Sequence, residues 1–195
     1  MGPGRGRQQV TMMDSGPEGG AMGSSTTMTA VAPTQFRSLM STFPSGVSIV
    51  TTSDLDGQPW GMTCSSVCSV AVDPPTLLVC LREGSPTLAA MSRRSAFAVN
   101  LLHARARATA DLFASGTPHR FDLLRWSADS EAAGPHLSDD AHAIADCRIT
   151  RMVRIGDHTV VFGEVFRVVH PATEAADSRS PLLYGLREYS SWQVR

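Results

Sequence analysis

The sequence predicts a mainly β protein with a few short helices, whose antiparallel strands form a closed barrel. Apolar segments rich in Val, Ile and Thr recur along the chain, as is typical of strands. The pairs Asp56-Gly57 and Gly156-Asp157 separate such segments closely enough to form hairpins. The last two segments are apolar on both faces, which indicates a barrel covered by helices or by a second subunit. We therefore expect a homodimer.

The first 32 residues differ in composition from the rest of the chain. They are dominated by Gly, Ser, Thr and Met and have no apolar periodicity, so they cannot bury enough surface to offset the entropy of ordering. Of the 195 residues, about 160 then remain, which is enough for one well-buried core. We predict a disordered tail over residues 1–32 and a single domain over residues 33–195.

Composition argues against several classes of protein. The formal net charge is -1 and the basic residues are scattered, so nucleic acid is not an expected partner. No apolar run is long enough to span a bilayer, so we expect no membrane partner. The four cysteines form no C-x-x-C pair, which favours reduced thiols and a cytoplasmic protein.

The first predicted element is a short amphipathic helix that begins at Pro33 and ends before Pro44. Its apolar positions recur at helical spacing: Phe36, Leu39, Met40 and Phe43. Strands follow over residues 47–52 and 60–72, and the Asp-Gly pair between them predicts antiparallel pairing.

Strands and short helices alternate through the middle of the chain. The pattern predicts a strand over residues 76–81, a helix over 85–93, a strand over 96–102 and a helix over 105–114.

The chain ends in a long loop and a long hairpin. Residues 115–140 are rich in Gly, Pro, Ser and Asp without a sustained period, and loops of this length are often functional. Strands over 143–155 and 158–170 close the domain around the tight turn at Gly156-Asp157.

Common catalytic signatures are absent from the sequence, including glycine-rich phosphate loops, the G-x-S-x-G motif and spaced Cys/His sets, so no metal site is expected. Small polar clusters at strand ends remain. They fall within segments that follow one another in a fixed order: FPSGVSIVTT, DGQPWGMTCSS, VDPPTLLVC, FAVNLL and GDHTVVFGEV.

These segments, within residues 36–184, resemble the short-chain flavin reductases of two-component monooxygenases, which belong to the FMN-binding split-barrel superfamily. The resemblance implies a Greek-key split β-barrel that forms a homodimer. It also implies FMN or FAD bound at the strand ends near the dimer interface, NADH or NADPH as the electron source, and a separate flavin-dependent monooxygenase as partner.

Two segments have the chemistry that a flavin nucleotide needs. The first offers backbone N–H groups and small side chains to one edge of the ring, and its members are Met62, Thr63, Cys64, Ser65 and Ser66. The second offers hydroxyls and a guanidinium to the phosphate at the start of a helix, and its members are Arg82, Ser85 and Thr87. The alternative is that the serines are ordinary strand hydroxyls and a helix cap.

Further site residues follow from the resemblance. It places Asn100 beside the flavin, although a structural amide that satisfies a neighbouring loop is the alternative. The motif Gly156-Asp157-His158 contacts the nicotinamide in the family, so His158 is assigned the catalytic role of orienting the hydride donor while Asp157 holds its imidazole. Tyr184 would line the flavin or nicotinamide pocket, or else pack against the barrel.

The expected function is that of an NAD(P)H:flavin oxidoreductase that supplies reduced flavin to a monooxygenase. A non-catalytic flavin-binding protein and a flavin-dependent oxidase of the same superfamily are the alternatives. The sequence leaves FMN or FAD, and NADH or NADPH, open, since the adenylate of FAD could lie in the loop over residues 115–140 or in solvent.

Overall fold

The structure is a computed structural model that describes residues 29–171 and 180–192. The chain divides into two units between Ala32 and Pro33. Residues 1–28 lie outside the described residues, so the predicted tail stays a prediction. No helix in the described ranges is long and apolar enough to cross a bilayer.

Within those ranges, strands predominate and three α-helices are short. In chain order, the elements are α1 (Pro33–Ser41), β1 (Ser45–Gly46), β2 (Ser48–Ser53), β3 (Pro59–Cys64), β4 (Cys68–Val72), β5 (Pro75–Arg82), α2 (Pro86–Arg94), β6 (Ala96–Leu102), α3 (Arg107–Ala114), a 3-10 helix (Arg120–Leu123), β7 (Ala141–Ile155), β8 (His158–Val169), β9 (Leu182–Gly185) and β10 (Glu188–Ser191). Every strand pair is antiparallel, which confirms the predicted class.

Seven strands form one sheet in the order β3-β2-β6-β7-β8-β5-β4, and β1, β9 and β10 form a second sheet. Strands β3 and β4 are the two edges of the large sheet, yet only residues 65–67 separate them in the chain. The sheet must therefore curl until its edges approach each other at this segment.

The prediction of one strand over residues 60–72 is wrong. Strand β3 ends at Cys64 and β4 begins at Cys68, because β3 pairs with β2 whereas β4 pairs with β5 on the other side of the sheet. Small and apolar residues continue through the break, so the strand-like pattern gives no local sign of it.

Glycine allows both predicted hairpin turns. Gly57 has φ of 82°, and the Asp54 carboxylate accepts hydrogen bonds from the backbone N–H groups of Asp56 and Gln58 at 3.0 and 2.9 Å. Gly156 has φ of 60° between β7 and β8. These turns confirm the two hairpins.

The core has two main parts, on opposite faces of the sheet. One lies inside the curl and includes Val79, Phe97 and Val161. The other lies between the sheet and α3 and includes Ile49 and Phe113. Because both faces of β2 contact a core, its residues are buried at almost every position.

The last two strands are not buried on both faces, contrary to expectation. Strand β8 alternates, so that Val161 is buried while Phe166 is 48% exposed. The far half of β7, residues 151–155, is mostly exposed. Helix α1 contributes no buried side chain.

Candidate functional site

Two grooves meet at the segment that joins β3 to β4. The first has a volume of about 720 Å³ and lies between β3, α3 and the turn from β9 to β10. The second has a volume of about 680 Å³ and lies between α1 and the β4–β5 pair. Ser65, Tyr184 and Arg187 line both grooves. Each volume lies in the range of small-ligand sites.

The first groove is polar and aromatic. Tyr184 and Tyr189 make an edge-to-face contact with ring centroids 5.2 Å apart. The guanidinium of Arg107 lies 5.4 Å from the Tyr189 ring centroid and 3.7 Å from the Asp111 carboxylate. The groove therefore has aromatic rings and cationic groups side by side.

The second groove has mostly apolar walls, which suit one face of a flat ring. They are formed mainly by Met40, Phe43, Val67 and Leu78. Cys68 and Cys80 complete this wall with free thiols.

The turn between β9 and β10 holds Arg187 at the junction of the grooves. Leu186 and Arg187 have φ of 52° and 66°, a left-handed conformation that costs non-glycine residues about 1–3 kcal/mol each. The Leu186 N–H donates to the Ser41 carbonyl at 2.6 Å, which ties the turn to α1. Sequence reasoning missed Arg187 and Arg107, because their approach to β3 depends on long-range packing.

Ser65 is the member of the predicted segment 62–66 that is best placed for a ligand, because it is exposed and lines both grooves. The Ser66 hydroxyl is engaged: it accepts from the Cys80 N–H at 3.1 Å and donates to the Cys80 carbonyl at 3.2 Å. The Thr63 hydroxyl donates to the Ala110 carbonyl at 2.6 Å, although Thr63 still lines the first groove.

The two sulfur-bearing members of this segment point towards the interior of the protein. Cys64 is buried, and burial raises the pKa of its thiol, so this group is not an activated nucleophile. The Met62 sulfur accepts from the Ser85 hydroxyl at 3.6 Å. This contact brings the two predicted flavin segments together.

Only part of the second predicted segment is open to a ligand. The Ser85 hydroxyl accepts from the Leu88 N–H at 3.5 Å and caps α2, which confirms the capping alternative. Thr87 is 1% exposed because it lies on the inner face of the first turn of α2, so its contact with the flavin phosphate stays a prediction. Arg82 is exposed at the end of β5, on the same strand face as Cys80.

The Gly156-Asp157-His158 turn lies beside Arg82. His158 stands directly opposite Arg82 in the pairing of β5 with β8, and the Glu83 N–H donates to the Asp157 carbonyl at 2.9 Å. The expected contact between Asp157 and the imidazole is present, with Oδ1 and Nδ1 2.9 Å apart. The hydrogen bond from His158 lowers the pKa of the Asp157 carboxyl.

Asn100 is fully buried and does not reach either groove. Its Oδ1 accepts from the Leu137 N–H at 2.8 Å, and its Nδ2 donates towards the carbonyls of Ile49 and Pro135 and the Thr51 hydroxyl at 3.1–3.3 Å. Both the nitrogen and the oxygen of the amide are thus bonded to groups within the protein. The amide thus satisfies a neighbouring loop, as the structural alternative describes, and its place beside the flavin stays a prediction.

The residues present fit a flavin nucleotide. An isoalloxazine ring is flat and apolar with polar atoms along one edge, which matches the apolar second groove bordered by Ser65 and its backbone. Arg187 lines this groove and Arg82 lies two residues beyond Cys80 on β5; both are exposed cations, and a guanidinium pairs well with phosphate.

Comparison with known proteins agrees with this fit. A family model described as "Flavin reductase like domain" matches residues 40–193. The flavin reductase (NADPH) of Lentzea aerocolonigenes is 46% identical over 162 residues, which cover 83% of this chain and 91% of the relative. The flavin reductase (NADH) of Kitasatospora aureofaciens is 42% identical over 159 residues, which cover 82% of this chain and 81% of the relative.

A solved structure shows that the fold is similar as well. The homolog of nitrilotriacetate monooxygenase component B from Mycobacterium thermoresistibile matches with a TM-score of 0.74 at 31% identity, over 82% of this chain and 86% of that chain. The matched sequence and the fold lead to one conclusion: the chain belongs to the family of flavin reductase-like domain proteins.

Proposed function

We propose that this protein is an NAD(P)H:flavin oxidoreductase that supplies reduced FMN or FAD to a separate flavin-dependent monooxygenase. The observation that carries the proposal is the position of Ser65 where an apolar groove and a polar, cationic groove meet. Transfer of hydride between a nicotinamide and a flavin needs the two rings stacked and held, and it needs no nucleophile from the protein. The buried thiol of Cys64 agrees with such chemistry.

Each exposed part of the site has a role in this proposal. Ser65 and the backbone of residues 62–66 hydrogen-bond the polar edge of the flavin, while the apolar groove packs against its ring. Arg82 and Arg187 pair with phosphate. His158, held by Asp157, orients the nicotinamide. Flavin and NAD(P)H are both substrates, and hydride passes from one to the other when both are bound.

The relatives support the choice of substrates and partner. The two curated relatives are named as flavin reductases that use NADPH and NADH. The matched structure is named as a homolog of a monooxygenase component. A reductase that releases reduced flavin for a second protein agrees with both kinds of name.

We also propose that the chain forms a Greek-key split barrel and a cytoplasmic homodimer. The curl that brings the edge strands together supports barrel closure. Large apolar side chains on α1, on the segment after it and on the outer strand faces support a subunit interface: Phe36, Leu39, Phe43, Val72, Phe166 and Val168 are each at least 48% exposed. The four cysteines are free, which agrees with a reducing compartment.

The experiment is anaerobic mixing of catalytic amounts of protein with NADH or NADPH and excess FMN or FAD, following loss of the flavin absorbance band. Many turnovers per protein are expected. Flavin that binds but stays oxidised with both nucleotides would contradict the proposal and favour a binding protein. Light scattering of the same sample tests the dimer.

A further inference from the structure

A third cleft, separate from the two grooves, lies at the opposite end of β3. Its volume is about 490 Å³, which suits part of a small ligand. It is bounded by β3, the start of α2 and the loop over residues 116–126. Its lining includes three aromatic side chains and one guanidinium, namely Trp60, Phe121, Trp126 and Arg120.

The walls of this cleft are aromatic and fixed in position. Phe121 contacts Trp126 edge-to-face, with ring centroids 5.9 Å apart, and Phe113 in the same way at 5.0 Å. The Trp60 indole N–H donates to the Asp54 carboxylate at 3.1 Å. Trp126 remains 39% exposed, so part of its surface is available to a planar ligand.

A cation lies beside the aromatic rings. The Arg120 guanidinium donates to the Phe113 carbonyl at 3.4 Å and lies 5.5 Å from the Phe113 ring centroid. Burial lowers its pKa, but a guanidinium remains charged at neutral pH. Aromatic faces beside a fixed positive charge suit a purine attached to a phosphate.

Strand β3 sets the distance between the cleft and the flavin grooves. Ser65 lines the grooves, Met62 contacts Ser85, and Trp60 lines the cleft. At about 3.3 Å per residue, Met62 lies about 10 Å from Ser65, and Trp60 lies about 7 Å further along. The cleft therefore begins beyond the segment proposed to hold the flavin phosphate.

We propose that this cleft binds the adenosine part of a dinucleotide. The inference rests on the proposed function and deepens it, because a flavin with its ring at Ser65 and its phosphate near Arg82 directs the group beyond the phosphate towards Trp60 and Trp126. FAD and NAD(P)H both carry adenosine. FMN carries none, so it serves as the internal reference.

The test compares wild type with Trp126→Ala for binding of FAD, FMN and NADPH by isothermal titration. Loss of the stacking free energy between a base and an aromatic side chain should raise the FAD Kd about tenfold in the variant. The FMN Kd should stay within about twofold of the wild-type value. If the NADPH Kd rises in place of the FAD Kd, the adenosine of the nicotinamide nucleotide occupies the cleft. Trp126→Phe, which keeps a stacking ring, should restore most of the affinity.

Trp192→Ala is the matched control, because it removes an exposed tryptophan that does not line any of the three cavities. A second measurement does not depend on how the variants fold: 5′-AMP should bind the wild-type chain and compete with FAD or NADPH, but not with FMN. Absence of saturable AMP binding, or an equal loss of FMN and FAD affinity in Trp126→Ala, would overturn the inference. Turnover of FMN in the same sample tests the proposed function separately, since FMN does not use the cleft.

Discussion

Ser66 and Cys80 are joined by two hydrogen bonds through one hydroxyl. Ser66 Oγ accepts from the Cys80 N–H at 3.1 Å and donates to the Cys80 carbonyl at 3.2 Å. The hydroxyl thus forms the contacts that a neighbouring strand would otherwise form with β5. This link fixes the segment between β3 and β4, and with it the position of Ser65.

Ser66→Ala should lower the free energy of unfolding by about 1 kcal/mol, because the two hydrogen bonds to Cys80 are lost. The site is partly exposed, so water replaces part of the lost interaction. Ser65→Ala is the matched variant. It should leave stability within about 0.5 kcal/mol of wild type and raise the KM for flavin. Urea unfolding and steady-state kinetics check both results. A flavin KM that rises in neither variant would exclude this segment from the flavin site.

Asn100→Ala should lower the free energy of unfolding by about 3 kcal/mol, since it takes the acceptor of the Leu137 N–H away and removes the buried hydrogen bonds of the amide nitrogen. Amide hydrogen exchange at Leu137 should become faster, because its N–H donates to Asn100. Leu123→Ala, an exposed position in the same loop, is the control. Lost flavin affinity with unchanged stability would instead return Asn100 to the ligand site.

His158→Ala should raise the KM for NAD(P)H roughly tenfold, the loss expected for one good hydrogen bond, while the flavin Kd stays unchanged. The structural basis is the exposed imidazole that Asp157 holds beside Arg82. His170→Ala, an exposed histidine at the end of β8, should leave both constants unchanged. Nicotinamide kinetics that stay at the wild-type value in His158→Ala would remove the proposed catalytic role.

Acid should weaken the attachment of the long loop to β8. Two hydrogen bonds from the Arg167 guanidinium, at 2.8 and 2.7 Å, hold the pKa of the Asp129 carboxyl well below its usual range. Because the folded pKa is depressed, the stabilisation is present above the unfolded value of about 3.8 and is lost as pH falls below it. Melting temperatures of wild type and Asp129→Asn should therefore converge below about pH 3. Curves that stay parallel from pH 5 to pH 2.5 would show that this pair contributes nothing.

Local turn chemistry could be predicted well from the sequence. Gly57 and Gly156 indicate hairpins because glycine, which has no Cβ, adopts a positive φ at no steric cost. The turn at Leu186 and Arg187 has the same left-handed backbone without Gly or Asn, so nothing local indicated it. Arg187, the cation that this turn brings to both grooves, was therefore missed both for lack of a local signal and because its approach to β3 depends on long-range packing.

Positions that depend on how distant strands pair could not be predicted. The break after Cys64 exists because the two edge strands pair on opposite sides of the sheet, which no local pattern records. Asn100 was recognised as costly to bury, but its partners lie 35–51 residues away in the chain. The sequence predicted that the Asn100 amide is buried, but it did not identify the groups that hydrogen-bond to it.

The loop over residues 115–140 lies against the sheet near its end and has open space near its start, so a substitution meets a different obstacle at each end. Near its end, Gly134 lies so close to the sheet that an added Cβ would be 2.6 Å from the Thr51 carbonyl oxygen. Near its start, Gly116 has open space around it. A side chain at Gly134 would therefore disturb β2, whereas at Gly116 the positive φ of 72°, and not a lack of space, disfavours other residues.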